Sequence, residues 1–235
     1  MTLLVLIRHA TTASTGKRLG GRTQAPLDAG GRAQAEAAAQ RLADVPLKAI
    51  YASPLPRTME TAEAVAAPHH LAVQPDESLL EVDYGRWTDR PLRPLTRTKT
   101  WPVIQARPSL VAFPDGETIR AAQLRAVDGL QRIVARHPRH AVAAVSHADV
   151  IKAVVASYLG LALDHFQRLH VDPASATVLA LSADGGQPVL LRFNDDGPLR
   201  LAPPRAAAKK ISTRKASARN TPAEKAPSRR TAHRG

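Results

Sequence analysis

The chain has no cysteine among its 235 residues. Disulfides, thiolate metal sites and cysteine nucleophiles are thereby excluded. Aromatic side chains amount to only 3%, so the core must be aliphatic and alanine-rich, which a hydrophobic content of 44% allows. No run approaches the roughly 18 apolar residues of a spanning helix. The stretch from Met1 to Ile7 is too short for a secretory signal, and no basic region precedes it. The expected location is the cytoplasm, and the length suits one domain with room for an appendage.

Acidic residues are scarcest at the carboxyl end. From Pro203 to Gly235 ten Lys/Arg oppose only Glu224, a net +9, which leaves +13 − 9 = +4 on the body. This segment also lacks large apolar residues and cannot bury enough surface to offset its ordering entropy. The expected organisation is a folded domain over 1–202 and a disordered basic tail over 203–235. The tail's charge suits weak contact with nucleic acid or another anionic surface, without sequence preference. It lacks interleaved aromatics for base stacking, and a solubilising extension accounts for it equally well.

What the chain does have is two short apolar runs that each end in a histidine. Leu3 to Ala10 delivers Arg8 and His9, and Ala141 to Ala148 delivers Ser146 and His147. Both have the length of buried parallel strands. Between them, Asp28 is the expected N-cap of a helix through Ala33 to Ala43. Ala49 to Ala52 is a second strand, Ser53-Pro54 opens a helix to about Ala67, and Leu71 to Val73 is a short third strand. Residues 76–114, rich in Pro and Arg, are expected to form an irregular insertion. Asp115 or Thr118 then caps a long helix whose Ile119, Ala122, Ala126, Val127, Leu130, Ile133 and Val134 share one face. After the second histidine run a helix from Asp149 to Leu159 stops at Gly160. Thr177 to Ser182 and Pro188 to Phe193 read as an antiparallel edge hairpin. The expected fold class is α/β: a three-layer sandwich with a mostly parallel central sheet flanked by helices.

Ligands of such sheets lie beyond the carboxyl ends of the strands. Arg8, His9, Arg57 and His147 would meet there, with helix N-termini facing an anion. Neighbouring guanidiniums disfavour the imidazolium and leave a nucleophilic nitrogen free. Arg8 and Arg57 can fork onto phosphoryl oxygens and stabilise charge in transfer, and His147 can add a donor. Protonation of the leaving oxygen falls to Glu81, with Asp83 in reserve. The GKRLGG stretch lacks the ending of a nucleotide P-loop and reads as cover for the site. Arg86, Arg90, Arg93, Arg97 and Lys99 form a basic run that suits either an anionic substrate or plain solvation.

Four stretches carry a family resemblance. LIRHA resembles an R-H-G signature, SPLPRTMETA matches S-P-L-x-R-x-x-x-T-A, LLEVDYGRW resembles E-x-x-x-G-x-W, and SHADVIK resembles S-H-G-x-x-I-R. In this order they resemble the histidine phosphatase superfamily, in its phosphoglycerate-mutase-like branch. The resemblance implies a phosphohistidine on His9, a phosphate pocket of Arg8, Arg57 and His147, Glu81 as proton donor, and neither metal nor cofactor. Ala10 and Ala148 replace the usual glycines, and Lys152 stands where arginine is frequent. Ser14 or Thr15 takes the place of a missing asparagine, and Ser14, Thr15, Arg22 and Ala148 are the expected substrate contacts. The expected activity is hydrolysis of a small phosphate monoester. A phosphomutase using the same intermediate is the nearest alternative, and a non-catalytic module binding a phospholigand or nucleic acid is a further one. The sequence leaves substrate and oligomeric state open.

Overall fold

Alternation along the first strand builds both layers of the core. β1 (Thr2–Arg8) turns Leu3, Val5 and Ile7 to one side of the sheet and Leu4 and Leu6 to the other, as the two-residue period of a strand requires. The computed structural model describes residues 1–182 and 184–197. The tail expected over 203–235 lies outside the described residues.

The remaining strands are β2 (Leu47–Ala52), β3 (Val73–Pro75), β4 (Ala141–Ser146), β5 (Ala176–Leu181) and β6 (Val189–Asp195). They join β1 in one sheet of order β3-β2-β4-β1-β5-β6. The pairs β1–β4, β4–β2 and β2–β3 are parallel, whereas β5 runs antiparallel to both β1 and β6. The expected mostly parallel sheet with an antiparallel edge hairpin is what the chain forms. Helices α1 (Ala29–Leu42) and α2 (Pro56–Ala66) cover the Leu3 face through Ala35, Ala38, Leu42, Ala62 and Val65. The insertion holds only α3 (Leu92–Leu95), α4 (Thr100–Ala106) and isolated 3-10 turns. On the Leu4 face lie α5 (Ile119–Arg136) and α6 (Ala148–Tyr158), which bury Leu130, Ile133, Ile151 and Val154. Full burial of such side chains stabilises by about 1.5–3 kcal/mol each.

Local chemistry sets the element boundaries. Asp28 caps α1 as expected, accepting from Gly31 N–H at 2.6 Å, and the helix starts at Ala29 directly behind it. Glycine fits at position 31 because it has no Cβ, which would stand 2.0 Å from the Thr11 carbonyl oxygen. The third strand comes two residues late, since His70 leaves the preceding turn in a left-handed conformation at φ 53°. Of the two candidate caps for α5, Thr118 is the one used, its hydroxyl accepting from Ala121 N–H at 3.0 Å. Among the described residues no helix is long and apolar enough to cross a membrane.

Candidate active site

Register decides what meets at the rim. Arg8 on β1 pairs with Ser146 on β4, so His9 and His147 leave adjacent parallel strands together. Their rings lie 5.2 Å apart between centroids, tilted by 60°. His9 Nδ1 is 2.7 Å from the Ala10 carbonyl oxygen. A carbonyl only accepts, so Nδ1 carries the proton and Nε2 keeps its lone pair. Burial, reinforced by the Arg57 and Arg8 guanidiniums, lowers the His9 pKa from 6.5 to about 3. The imidazole is therefore neutral at physiological pH.

Arg57 is the second residue of α2, behind Pro56 at the first helical position, a place where proline is preorganised for helix. Its Nη1 donates to Thr23 O at 2.9 Å and its Nη2 to Gly21 O at 2.6 Å. Nη2 also lies 3.2 Å from His147 Nδ1. A guanidinium only donates, so His147 accepts at Nδ1 and bears its proton on Nε2, which donates to Ser53 Oγ at 2.9 Å. Both ring nitrogens of His147 are thus engaged inside the protein. Burial, with the charge of Arg57, holds this imidazole neutral as well. Thr61 ties α2 to the β1 exit: its hydroxyl donates to Arg57 O at 2.7 Å and accepts from Ala10 N–H at 3.1 Å.

Arg8 donates from Nη1 to Val171 O at 2.6 Å, while its buried Nε has no partner. A buried donor left unpaired is costly unless an acceptor arrives, and an anion beside Arg8 would supply one. Glu81 is buried and accepts from Val82 N–H at 3.0 Å. Burial, then the nearby Asp149 carboxylate, raises its pKa from 4.5 to about 7 against the pull of Arg57 and Arg8. A fraction of Glu81 is consequently protonated at neutral pH.

These groups open into a cavity of about 270 Å³ lined by Arg8, His9, Arg57 and Glu81. Ser14, Thr15 and Ala148 line it too, with Thr12, Tyr84 and Asp149. Thr12 Oγ1 lies 3.1 Å from both Ser14 Oγ and Thr15 Oγ1. Arg22 and His147 are not among the lining residues. Arg22 instead lies 3.4 Å from Glu117 Oε1 and donates from Nε to the Glu81 carbonyl at 3.3 Å. Gly16, Arg18, Leu19 and Gly20 of GKRLGG form the cover. Main-chain bonds pin that cover to the insertion: Leu19 N–H to Arg90 O, Asp89 N–H to Leu19 O, and Leu92 N–H to Lys17 O, at 2.9, 2.7 and 2.9 Å. Arg86, from the basic run of the insertion, pairs with Asp115 at 2.9 Å. A larger cavity of about 1000 Å³ beside Asp128, Arg132 and Tyr158 shares no lining residue with this one. Among the described residues no group of three or more His, Asp or Glu is placed to hold a metal ion.

A sequence profile of the histidine phosphatase superfamily (branch 1) matches residues 4–196. The chain belongs to that superfamily. Phosphoserine phosphatase 1 of Hydrogenobacter thermophilus is 29% identical over 200 residues, covering 83% of this chain and 92% of that protein. The structure of YhfR from Bacillus stearothermophilus superposes with a TM-score of 0.78 at 30% identity, over 83% of this chain and 98% of that one. A mycobacterial glucosyl-3-phosphoglycerate phosphatase superposes with a TM-score of 0.76 at 25% identity, over 82% and 98%.

The departures from the superfamily's signatures have a structural reading. Neither Ala10 nor Ala148 has a positive φ, so neither position demands glycine. Sequence reasoning passed over a partly buried polar cluster beside Glu81. Asp149 Oδ1 lies 2.7 Å from Lys152 Nζ, and Oδ2 accepts from the Tyr84 hydroxyl at 2.8 Å. Lys152 also donates to Gln167 Oε1 at 2.8 Å. Burial pushes the Asp149 carboxyl up, but Lys152 and Tyr84 outweigh it and hold the group ionised. The signal available in the sequence was the i, i+3 spacing of Asp149 and Lys152 directly after His147.

Proposed function

We propose that this histidine phosphatase hydrolyses small phosphate monoesters through a covalent intermediate on His9. The observation that carries the reading is the hydrogen bond from His9 Nδ1 to the Ala10 carbonyl, which leaves Nε2 unprotonated within a cavity walled by two guanidiniums. His9 Nε2 attacks phosphorus while the ester P–O bond breaks, and Glu81 gives its proton to the departing alkoxide. Glu81, now a carboxylate, takes a proton from water, whose oxygen attacks the phosphorus of phosphohistidine. The N–P bond breaks, and inorganic phosphate and neutral His9 are released.

Arg8 and Arg57 neutralise the charge spread over the transferring group, a task that in other enzymes falls to a metal. His147 acts by seating Arg57, and the first turn of α6 beginning at Ala148 adds N–H donors. Ser14 and Thr15 contact the substrate, whereas Arg22 holds the backbone of Glu81 in place. The similarity to phosphatases of phosphoserine and of glucosyl-3-phosphoglycerate supports hydrolysis as the outcome. In this reading the enzyme works in the cytoplasm, and the basic segment 203–235 makes a weak electrostatic contact with polyanions.

Incubation with a phosphate ester, alkaline quenching and mass mapping should place an acid-labile, base-stable phosphate on His9. Activity should persist in a chelator, and phosphate release should exceed isomerisation of phosphoglycerates. Full turnover by His9→Ala, or a label on another residue, would refute the assignment.

A further inference from the structure

The end of the cavity that receives the alcohol is acidic. Glu81 must stand beside the leaving oxygen to protonate it, and Asp149 lines the same cavity. Lys152, which does not line it, grips Asp149 Oδ1 at 2.7 Å. The Lys152 ammonium is held in turn by Gln167 and lies 4.9 Å from the centre of the Phe166 ring. The ion pair therefore presents its negative end to the cavity. Tyr84 spends its hydroxyl hydrogen on Asp149 Oδ2, so it offers the ligand only an oxygen acceptor. Each Asp149 oxygen engages one donor and keeps a further lone pair for another. The cations that line the cavity are committed elsewhere. Arg8 and Arg57 face the phosphoryl group in the proposed mechanism, and Arg18 Nε is paired with Asp89 at 2.7 Å.

We infer that Asp149 is a specificity-determining residue that selects phosphate esters whose alcohol carries a hydrogen-bond donor, an ammonium or a hydroxyl, close to the ester oxygen. Esters bearing a carboxylate at that position are disfavoured by like charge, and esters with a bare alkyl group leave the carboxylate desolvated without a partner. This inference rests on the phosphatase reading above and assigns the substrate class of the same site.

Four probes separate the cases: phosphoethanolamine (ammonium), glycerol 1-phosphate (hydroxyls), 2-phosphoglycolate (carboxylate) and ethyl phosphate (no second polar group). The quantity read is kcat/KM relative to ethyl phosphate, in the wild type and in Asp149→Asn. Comparing these ratios between the two proteins cancels the intrinsic reactivity of each ester. The ratio for phosphoethanolamine should fall by about tenfold or more in the variant, the size of a lost charge-assisted hydrogen bond. The ratio for 2-phosphoglycolate should rise. Tyr84→Phe keeps the carboxylate and should keep the wild-type order of preference. Should Asp149→Asn fail to fold, inhibition of the wild type decides. 3-Aminopropylphosphonate, with a methylene in place of the ester oxygen, should bind about tenfold more tightly than propylphosphonate. Equal loss on all four esters in Asp149→Asn overturns the inference and leaves the phosphatase reading standing, as does equal inhibition by the two phosphonates. A wild type that turns over none of the four overturns both.

Discussion

Replacing Glu81 with glutamine should make the protein more stable and nearly inactive, and both effects should depend on pH in a fixed direction. The carboxyl is buried and its pKa is raised from 4.5 to about 7, first by burial and then by the Asp149 charge. A group raised in the folded state contributes stability that is complete below its unfolded pKa and lost as pH rises through the folded one. The window is therefore about pH 4.5 to 7. Each pH unit is worth about 1.4 kcal/mol, which bounds the penalty of the ionised form at about 3 kcal/mol. Glutamine carries no charge, and its amide oxygen can still accept the Val82 N–H that now bonds Glu81 Oε1. The variant should thus match the wild type near pH 4.5 and exceed it increasingly towards pH 7. For a chain of this size the gain above neutrality is at most roughly 6 to 12 °C in Tm. Turnover of an alkyl phosphate should drop about 10²–10⁴-fold, the range for a general acid. In the first half-reaction, read as kcat/KM or as the burst of released phenolate, an aryl ester whose phenolate departs without a proton should lose far less, whereas the later hydrolysis of phosphohistidine slows alike for both esters. Thermal melts across pH with a parallel assay of both esters test this. Melting curves that stay parallel at every pH would refute a buried, proton-holding carboxyl, and an equal loss of kcat/KM on both esters would refute its role as acid.

Other consequences follow from the same geometry. Arg57→Lys cannot reproduce bonds to Gly21, Thr23 and His147 at once, so kcat should fall about 10²–10³-fold. Steady-state kinetics on folded protein checks this, and near-normal kcat contradicts it. Because His9 has its pKa depressed from 6.5 to about 3, it contributes stability that is present above pH 6.5 and lost as pH falls towards 3. His9→Gln should therefore lose less Tm than the wild type between pH 7 and pH 5, and an identical loss would count against the buried neutral imidazole. Removing residues 203–235 should abolish salt-sensitive retention on a polyanion column while leaving kcat/KM for a small ester unchanged. Retention that survives the truncation would assign the contact to the body instead.

Much of this arrangement was legible because it is local. Leu3, Val5 and Ile7 against Leu4 and Leu6 announce a strand buried on both faces, and a histidine just past such a strand lies at the ligand-binding rim. Thr118 and Asp28 mark helix starts by chemistry that a few residues decide. What escaped the sequence depends on distant pairings. Tyr84 and Asp149 meet across 65 positions and Arg22 and Glu117 across 95. No period or cap reports such partners. Arg22 shows the consequence: as a basic residue in a covering loop it reads as a substrate contact, yet the folded chain turns it towards Glu117 and the backbone of Glu81. The same holds for His147, whose ring nitrogens are both spoken for only because Arg57 and Ser53 arrive from another strand and helix.

The roof over the catalytic pocket is stitched to its neighbour by peptide groups between Lys17–Leu19 and Asp89–Leu92. Amide-to-carbonyl seams are indifferent to side-chain identity, so point changes along either segment retune the chemistry of the entrance without unfastening it. Lengthening or shortening one segment would shift the whole seam and resize the doorway at a stroke. Divergence in substrate size on this scaffold is therefore expected to proceed by insertion and deletion in the roof, and divergence in polarity by single substitutions, with the phosphorus-handling residues beneath left untouched by either.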